Sequence, residues 1–310
     1  MMITPVCLRI VGAPERPVKP RSVGVNAHGI LRGMNRLGDW MRGRDRVLVM
    51  GILNVTPDSF YDGGRTEATE TAIERGLRMV AEGADIVDVG GESTRPGACS
   101  VPLDIEIERV VPVIAGIRER SDVPLSVDTT KSVVAEEALA AGAAIVNDTS
   151  ALRSDERMAA TVAATDAYVV LMHMQGTPAT MQENPTYEDA VEEVRAFLDE
   201  RIRVAVAAGI GKHRVLVDPG FGFGKRLCHN LALLRGLRRI ADLGPPVVVG
   251  LSRKSFLGKI LDLPPDERLE GTIAANAVAV ANGASVLRVH DVKEGRRTAD
   301  VAFHLRPDAA

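Results

Sequence analysis

Eight short apolar runs recur along this chain, and each stops at a residue equipped for chemistry. Val47–Leu53 stops at Asn54, Ile86-Val87 at Asp88, Leu125-Ser-Val127 at Asp128 and Ala144-Ile-Val146 at Asn147. Tyr168–Met172 stops at His173 and Val215-Leu-Val217 at Asp218. The last two runs, Val247–Val249 and Val286-Leu287, lead into Gly250-Leu-Ser-Arg-Lys254 and Arg288-Val-His290. Short, β-branched and nearly continuous apolar runs suit strands buried on both faces of a parallel sheet. That burial does not account for polar residues collected at one end. In an eight-stranded α/β barrel the C-terminal strand ends converge on one mouth, where active sites sit. The pattern therefore predicts the α/β class, a (β/α)8 TIM barrel, and a location for function.

Between the runs, apolar residues recur at helical spacing over Ala68–Ala81, Asp104–Arg120, Lys131–Ala141, Tyr187–Ala208, Leu231–Asp242 and Asp266–Asn282. Gly83, Gly142, Gly209 and Gly283 stand where helices stop, as left-handed caps before the next strand. A chain of 310 residues fits one barrel. The expected layout is a basic N-terminal extension over 1–45, a barrel domain over 46–304 and a tail over 305–310. The extension region holds Arg9, Arg16, Lys19, Arg21, Arg32, Arg36, Arg42, Arg44 and Arg46 against Glu15, Asp39 and Asp45. Poor order is its simplest reading, with a transit-like segment or an internal start at Met34 as alternatives.

A net charge of −3 gives no reason to expect nucleic acid or an anionic membrane as partner. No apolar run approaches the ~20 residues needed to span a bilayer. Cys7, Cys99 and Cys228 are too scattered for a disulfide framework or a zinc site, so a reducing cytoplasm is the expected home.

Asp88, Asp128 and Asp218 would gather at one mouth, where partly buried carboxylates need partners. A carboxylate accepts two parallel hydrogen bonds, so Asp218 beside Asn147 can read a flat heterocycle bearing adjacent N–H groups. Lys254, Arg288 and His290 follow the last two strands, where barrels frequently build phosphate sites. Strand alternation puts Arg288 and His290 on the same side. Two loops, Asn54–Gly64 and Gly90–Gly97, mix glycine with acidic, hydroxyl and cationic side chains, the make-up of segments that close over ligands. Asp218-Pro-Gly-Phe-Gly-Phe-Gly-Lys225 lacks the Walker spacing and reads as a glycine-rich turn edged by Phe221 or Phe223. His173 has no second ligand at metal spacing, which favours packing or an internal hydrogen bond.

These segments, in this order, closely resemble the dihydropteroate synthase family of pterin-binding barrels, from about Val47 to about Val301. The resemblance is carried by Met50–Phe60, Asp88–Gly97, Ser126–Thr129, Asn147-Asp148, Leu171–Gly176, Asp218–Lys225, Ser252–Ser255 and Arg288–Val292. It implies condensation of 7,8-dihydropterin-6-ylmethyl diphosphate with 4-aminobenzoate, giving 7,8-dihydropteroate and diphosphate. By motif, Asp128, Asn147, Asp218 and Lys254 bind the pterin, with Phe223 at its edge. Asn54, Arg288 and His290 hold the diphosphate, and Asn54 touches Mg²⁺. Phe60, Asp62, Thr94, Arg95 and Pro96 close over the aminobenzoate, whose carboxylate Ser255 binds. Asp128, Lys254, Asp62 and Arg95 are the catalytic candidates.

The resemblance also implies a homodimer and sulfonamide sensitivity. Tyr61 and Arg226 depart from the family pattern, both beside the motifs. A methyltetrahydrofolate methyltransferase shares the fold but has no diphosphate for Lys254, Arg288 and His290 to hold. A non-catalytic pterin binder is the other alternative, and both loops reading intact argue against it.

Overall fold

The computed structural model describes residues 36–56, 65–93 and 100–306. Eight parallel strands close into a barrel in sequence order. They are β1 (Leu48–Asn54), β2 (Ile86–Gly90), β3 (Leu125–Asp128), β4 (Ile145–Asp148), β5 (Tyr168–Met172), β6 (Val215–Asp218), β7 (Val247–Val249) and β8 (Ala284–Val289). Each of the eight apolar runs is one of these strands. The ladder closes through β1 on β8, where Met50 lies opposite Arg288.

Period-two alternation divides the strand residues into two populations. Val87, Val89, Val127, Val146, Val169, Leu171, Val217 and Leu287 point outward into a core shared with the surrounding helices. Met50, Ile86, Ile145, Val170, Leu216, Val248 and Val286 point inward and fill the lower barrel. One or two steps further along, the inward positions become Asn54, Asp88, Asp128, Asn147, Asp218 and Arg288. The barrel is apolar below and polar at its mouth because the inward position changes chemistry at the strand end.

The helices follow the expected pattern with instructive differences. Helices α2 (Arg65–Ala81), α3 (Leu103–Arg120), α4 (Ser132–Ala140), α6 (Ala190–Ala207) and α10 (Leu269–Ala281) match expected segments to within a few residues. Helix α6 starts where the Asp189 side chain accepts from the backbone N–H groups of Val191 and Glu192. The single helix expected over Leu231–Asp242 is two, α7 (Leu227–Arg235) and α8 (Leu237–Ala241), broken at Gly236. A Cβ on Gly236 would lie 2.8 Å from Val191 Cγ2, so the break sits at a close approach to α6. Three helices after β1 have no counterpart in the sequence reading: α5 (Met158–Ala163), α9 (Ser255–Leu261) and α11 (Val292–His304). Two of them are short, and α11 begins directly after the Arg288-Val-His290 motif, which masked its start.

Of the extension expected over 1–45, residues 1–35 lie outside the described residues, and residues 36–43 form a helix, α1. Its Leu37 and Trp40 are buried against Met50, Tyr168 and Val286, so α1 plugs the lower end of the barrel. The Trp40 indole N–H donates to Arg46 O at 2.9 Å, tying the plug to the residue before β1. The basic charge of this stretch conceals two apolar residues at helical spacing.

Candidate active site

Arg288 organises the mouth. Its Nε donates to Asp88 Oδ2 and its Nη2 to Asp128 Oδ2, both at 2.7 Å. Asn147 Nδ2 donates to the same Asp88 oxygen at 3.0 Å. Strand register explains the cluster. Ile52 lies opposite Asp88, Gly90 opposite Asp128, and Asp128 opposite Asn147. Neighbouring strands thus offer inward positions at one height. Asp88 is completely buried and meets Arg288 and Asn147 from below. Its job is to position those two side chains, a role the sequence reading did not assign.

The charges in this cluster are strongly perturbed. Burial pushes the Asp128 carboxyl up to about 7; Arg288 opposes the shift, and Asp88 adds to it. Asp218 is also raised by burial, against the backbone N–H of Gly220 and the charge of Lys254. Lys254 is pushed down to about 8 by burial and by Arg288. Arg288 loses solvent but gains two carboxylates, and its guanidinium stays above its ordinary value.

Asp128, Asn147, Asp218, Lys254 and Arg288 line one cleft of about 330 Å³, part of it open to solvent. Thr149, Met172, Phe221, Phe223 and Gly250 complete its wall. The sequence reading missed Thr149, which follows β4 just past the inward Asn147. Phe223 was expected here, and Phe221 joins it. Lys254 Nζ sits 4.1 Å from the Phe223 ring centroid, a cation–π contact that fixes both.

The glycine-rich turn after β6 has its own internal anchor. Lys225 Nζ donates to Gly220 O and Phe223 O, both at 2.9 Å, and lies 2.9 Å from His173 Nδ1. This lysine is buried and committed to internal acceptors, so the turn is not a phosphate loop of Walker type. Gly220 adopts φ +68°, and a Cβ there would fall 1.9 Å from His173 O. No other residue fits that position. His173 accordingly holds an internal hydrogen bond, as expected. The sequence reading gave Lys225 no role, although a lysine closing a run of glycine and phenylalanine was the available signal.

His290, expected with Arg288 at the diphosphate, follows β8 directly after Val289. Burial and the Arg288 charge push it down to about 4, so it is a neutral imidazole at pH 7. Its Nδ1 lies 3.0 Å from Ser252 Oγ, which orients the ring. Within Ser252–Ser255 only Lys254 reaches the cavity. Arg253 turns away, with φ +56°, and grips Asp291 through Nε at 2.9 Å and Nη2 at 2.6 Å. That bidentate pair ties the segment after β7 to the segment after β8. Ser255 is exposed at the first turn of α9, beside Lys254. Asn54 ends β1 half-buried, next to Gly90. Asp148 does not join the floor; its carboxylate accepts from Ser150 N, Ser150 Oγ and Leu152 N and shapes a turn. Arg226 donates to Asn184 Oδ1 at 2.5 Å, outside the cavity lining. Phe60, Tyr61, Asp62, Thr94, Arg95 and Pro96 lie outside the described residues.

Residues 50–290 match the family model described as pterin binding enzyme. The chain belongs to the dihydropteroate synthase family. It is 48% identical over 246 residues to the dihydropteroate synthase of Escherichia coli K12, covering 79% of this chain and 87% of that one. The Synechocystis enzyme is 46% identical over 270 residues, covering 87% and 92%. Among solved structures, a Yersinia pestis dihydropteroate synthase in a sulfonamide complex superposes with a TM-score of 0.80 at 45% identity, covering 84% of this chain and 95% of that one. A Xanthomonas albilineans dihydropteroate synthase with 4-aminobenzoic acid gives 0.79 at 48%, covering 84% and 94%. The matched residues run from within β1 to just past β8.

Proposed function

We infer that the chain carries out the reaction of its family, joining 7,8-dihydropterin-6-ylmethyl diphosphate to 4-aminobenzoate in folate biosynthesis. One observation carries this reading. Heterocycle-reading groups and cations line the same cavity: Asp128, Asn147 and Asp218 with Lys254 and Arg288. In the reaction the bond between the pterin methylene carbon and the diphosphate oxygen breaks, and diphosphate leaves with the electron pair. The arylamine nitrogen bonds to that carbon and loses a proton. Asp218 and Asn147 orient the pterin by hydrogen bonds to its edge. Phe223, fixed under Lys254, gives it an apolar wall.

Arg288 keeps Nη1 available beyond its two carboxylates, and with Lys254 it meets the negative charge that grows on the leaving group. The Asp128 carboxylate stabilises positive charge developing at the pterin methylene. His290, neutral and oriented by Ser252, donates a hydrogen bond to a phosphate oxygen without adding charge. No covalent enzyme nucleophile is involved. Phe60, Asp62, Thr94, Arg95 and Pro96 are assigned to the aminobenzoate side by family motif, with Ser255 for its carboxylate. Sulfonamides, as aminobenzoate mimics, compete there.

Mg²⁺ suits this donor set as a partner of the diphosphate. Among the described residues no three His, Cys, Asp or Glu side chains cluster as a metal site. Asn54 offers one hard carbonyl oxygen, and Mg²⁺ commonly takes few protein oxygens when phosphates and water complete its shell. When bound, the ion neutralises charge on the departing diphosphate.

The chain acts as a homodimer in this reading. Ile260 and Leu261 on α9, Val278 on α10, Val301 on α11 and the following Leu305 are all exposed, and together they supply apolar surface for a second copy. The inner face of α10, with Thr272, Ala275, Asn276, Ala279 and Val280, is already buried. The cytoplasm is the proposed location, and no helix among the described residues is long and apolar enough to cross a membrane. Diphosphate release measured with both substrates tests the activity. Release that requires 4-aminobenzoate supports it, and tight pterin binding without release points to a non-catalytic pterin binder.

A further inference from the structure

Shortly after Asp128 the chain turns into α4, and Lys131 stands at that turn. The stretch between them is held to the pterin floor. Thr129 N donates to Asn147 O at 3.2 Å, and Thr129 Oγ1 accepts from Lys131 N at 3.2 Å. From there the Lys131 ammonium reaches the segment that follows β2. Its Nζ donates to Glu92 Oε2 at 2.6 Å, to Val101 O at 2.8 Å and to Glu106 Oε2 at 2.5 Å. Three donors on one ammonium meet three acceptors.

Two of those acceptors belong to opposite ends of one stretch. Glu92 and Val101 are nine positions apart, and Glu92 Oε2 also accepts from Val101 N at 2.9 Å. Lys131 therefore grips both ends where they already meet. The third acceptor, Glu106 on α3, is buried, and it anchors the ammonium from the helix side. The same helix fixes the residue before Glu92. Arg109 Nη1 donates to Gly91 O at 2.8 Å, and a Cβ on Gly91 would fall 2.9 Å from Val110 Cγ1 and 3.0 Å from Glu106 Cγ. Burial alone would lower the Lys131 ammonium, but Glu106 and Glu92 hold it above its ordinary value. The grip is therefore in place throughout the pH range in which Asp128 and Lys254 titrate.

We propose that Lys131 is a positioning residue for 4-aminobenzoate: it ties both ends of the 92–101 stretch to the end of β3, and through them it governs use of that substrate. The proposal rests on the assignment, made above, of Thr94, Arg95 and Pro96 to the aminobenzoate side. Holding both ends of a short stretch removes much of its freedom, so substrate binding has less ordering to supply. Lys131 touches neither substrate in this arrangement. It acts through Glu92 and Val101, while Asp128, Asn147 and Asp218 read the pterin without it.

The test pairs two measurements on the full chain: diphosphate release over a range of 4-aminobenzoate concentrations, and pterin affinity by fluorescence titration without 4-aminobenzoate. Lys131→Met should lower kcat/KM for 4-aminobenzoate at least about tenfold and leave pterin affinity within about twofold. That variant strands the buried Glu106 carboxylate, so Glu92→Ala is measured beside it. Glu92→Ala cuts the tie at one end, leaves the Lys131–Glu106 pair in place, and should shift the same constant in the same direction. Release by the wild-type chain that requires 4-aminobenzoate establishes the underlying reading first. Wild-type release without that requirement, or none at all, removes the reading and the proposal together. An unchanged kcat/KM for 4-aminobenzoate in Glu92→Ala, or an equal loss of pterin affinity in either variant, overturns the proposal while the reading stands.

Discussion

Lys225 Nζ lies 2.9 Å from His173 Nδ1, with both side chains buried beneath the glycine-rich turn after β6. Burial and the lysine charge push His173 down to about 2, so its ring is neutral and accepts. Burial pushes Lys225 down to about 7, opposed by the charge of Asp218. The pair joins the end of β5 to the turn that carries Phe221 and Phe223.

Lys225→Met keeps the length of the side chain and removes its bonds to His173, Gly220 O and Phe223 O. The turn then loses the tie that sets the wall of the pterin cavity. The KM for the pterin substrate should rise roughly tenfold, the equivalent of about one charged hydrogen bond, with a smaller change in kcat. Steady-state kinetics over a range of pterin substrate concentrations give that split. An unchanged KM would show that the turn holds its shape without Lys225.

Asp128→Asn retains a hydrogen-bonding side chain of the same size and deletes the charge facing the reacting carbon. Turnover should fall about 100-fold, as when an electrostatic group is removed from a transition state. Pterin binding, measured by fluorescence titration, should weaken less than about tenfold because Asp218 and Asn147 remain. Normal turnover in this variant would sink the electrostatic role.

The pH dependence follows from two opposed shifts. Asp128, raised to about 7, becomes a carboxylate only as pH climbs through that value. Lys254, lowered to about 8, loses its ammonium as pH passes it. Both groups are charged only in the window between, so kcat/KM should be bell-shaped with its maximum between about 7 and about 8. The Asp88 charge raises Asp128, so Asp88→Asn should move the acidic limb to lower pH. An acidic limb that stays in place in that variant would remove Asp128 as its source.

The floor of this site was legible because strand parity has a period of two. Asn54, Asp88, Asn147, Asp218 and Arg288 each sit one inward step beyond an apolar inward residue, Asp128 sits one step beyond the small Ser126, and a single strand carries that information. The partners of Arg288 were not legible. Its bonds to Asp88 and Asp128 span 200 and 160 positions and depend on how strands are ordered around the barrel. Sequence spacing does not encode that order. The neutrality of His290 was hidden for a similar reason, since it depends on the depth of burial beside Arg288. The short helices α5 and α9 were missed because a helix of two turns or fewer shows too little periodicity. In α1, arginine-rich surroundings obscured Leu37 and Trp40.

Trp40→Ala tests that plug. Trp40 is buried beneath the barrel and its indole N–H is satisfied by Arg46 O. Truncation should cost about 3–5 kcal/mol, the usual range for losing a large core aromatic. Denaturant unfolding gives the number. Both KM values should stay near normal under native conditions, because the plug and the catalytic mouth occupy opposite ends. Wild-type stability in this variant would mean that α1 is not anchored through Trp40.

Asn54→Ala addresses the proposed Mg²⁺ partner. Asn54 contributes one neutral oxygen, and the diphosphate contributes the charge, so the ion should still bind in the variant but less tightly. Chelation by EDTA should abolish diphosphate release in the wild-type chain, and added Mg²⁺ should restore it. In the variant the Mg²⁺ activation curve should move to higher concentration by about tenfold, with maximal turnover largely recovered at saturation. A structural role for Asn54 predicts something different: lower turnover at every Mg²⁺ concentration and no shift of the midpoint. The position of that midpoint decides between them.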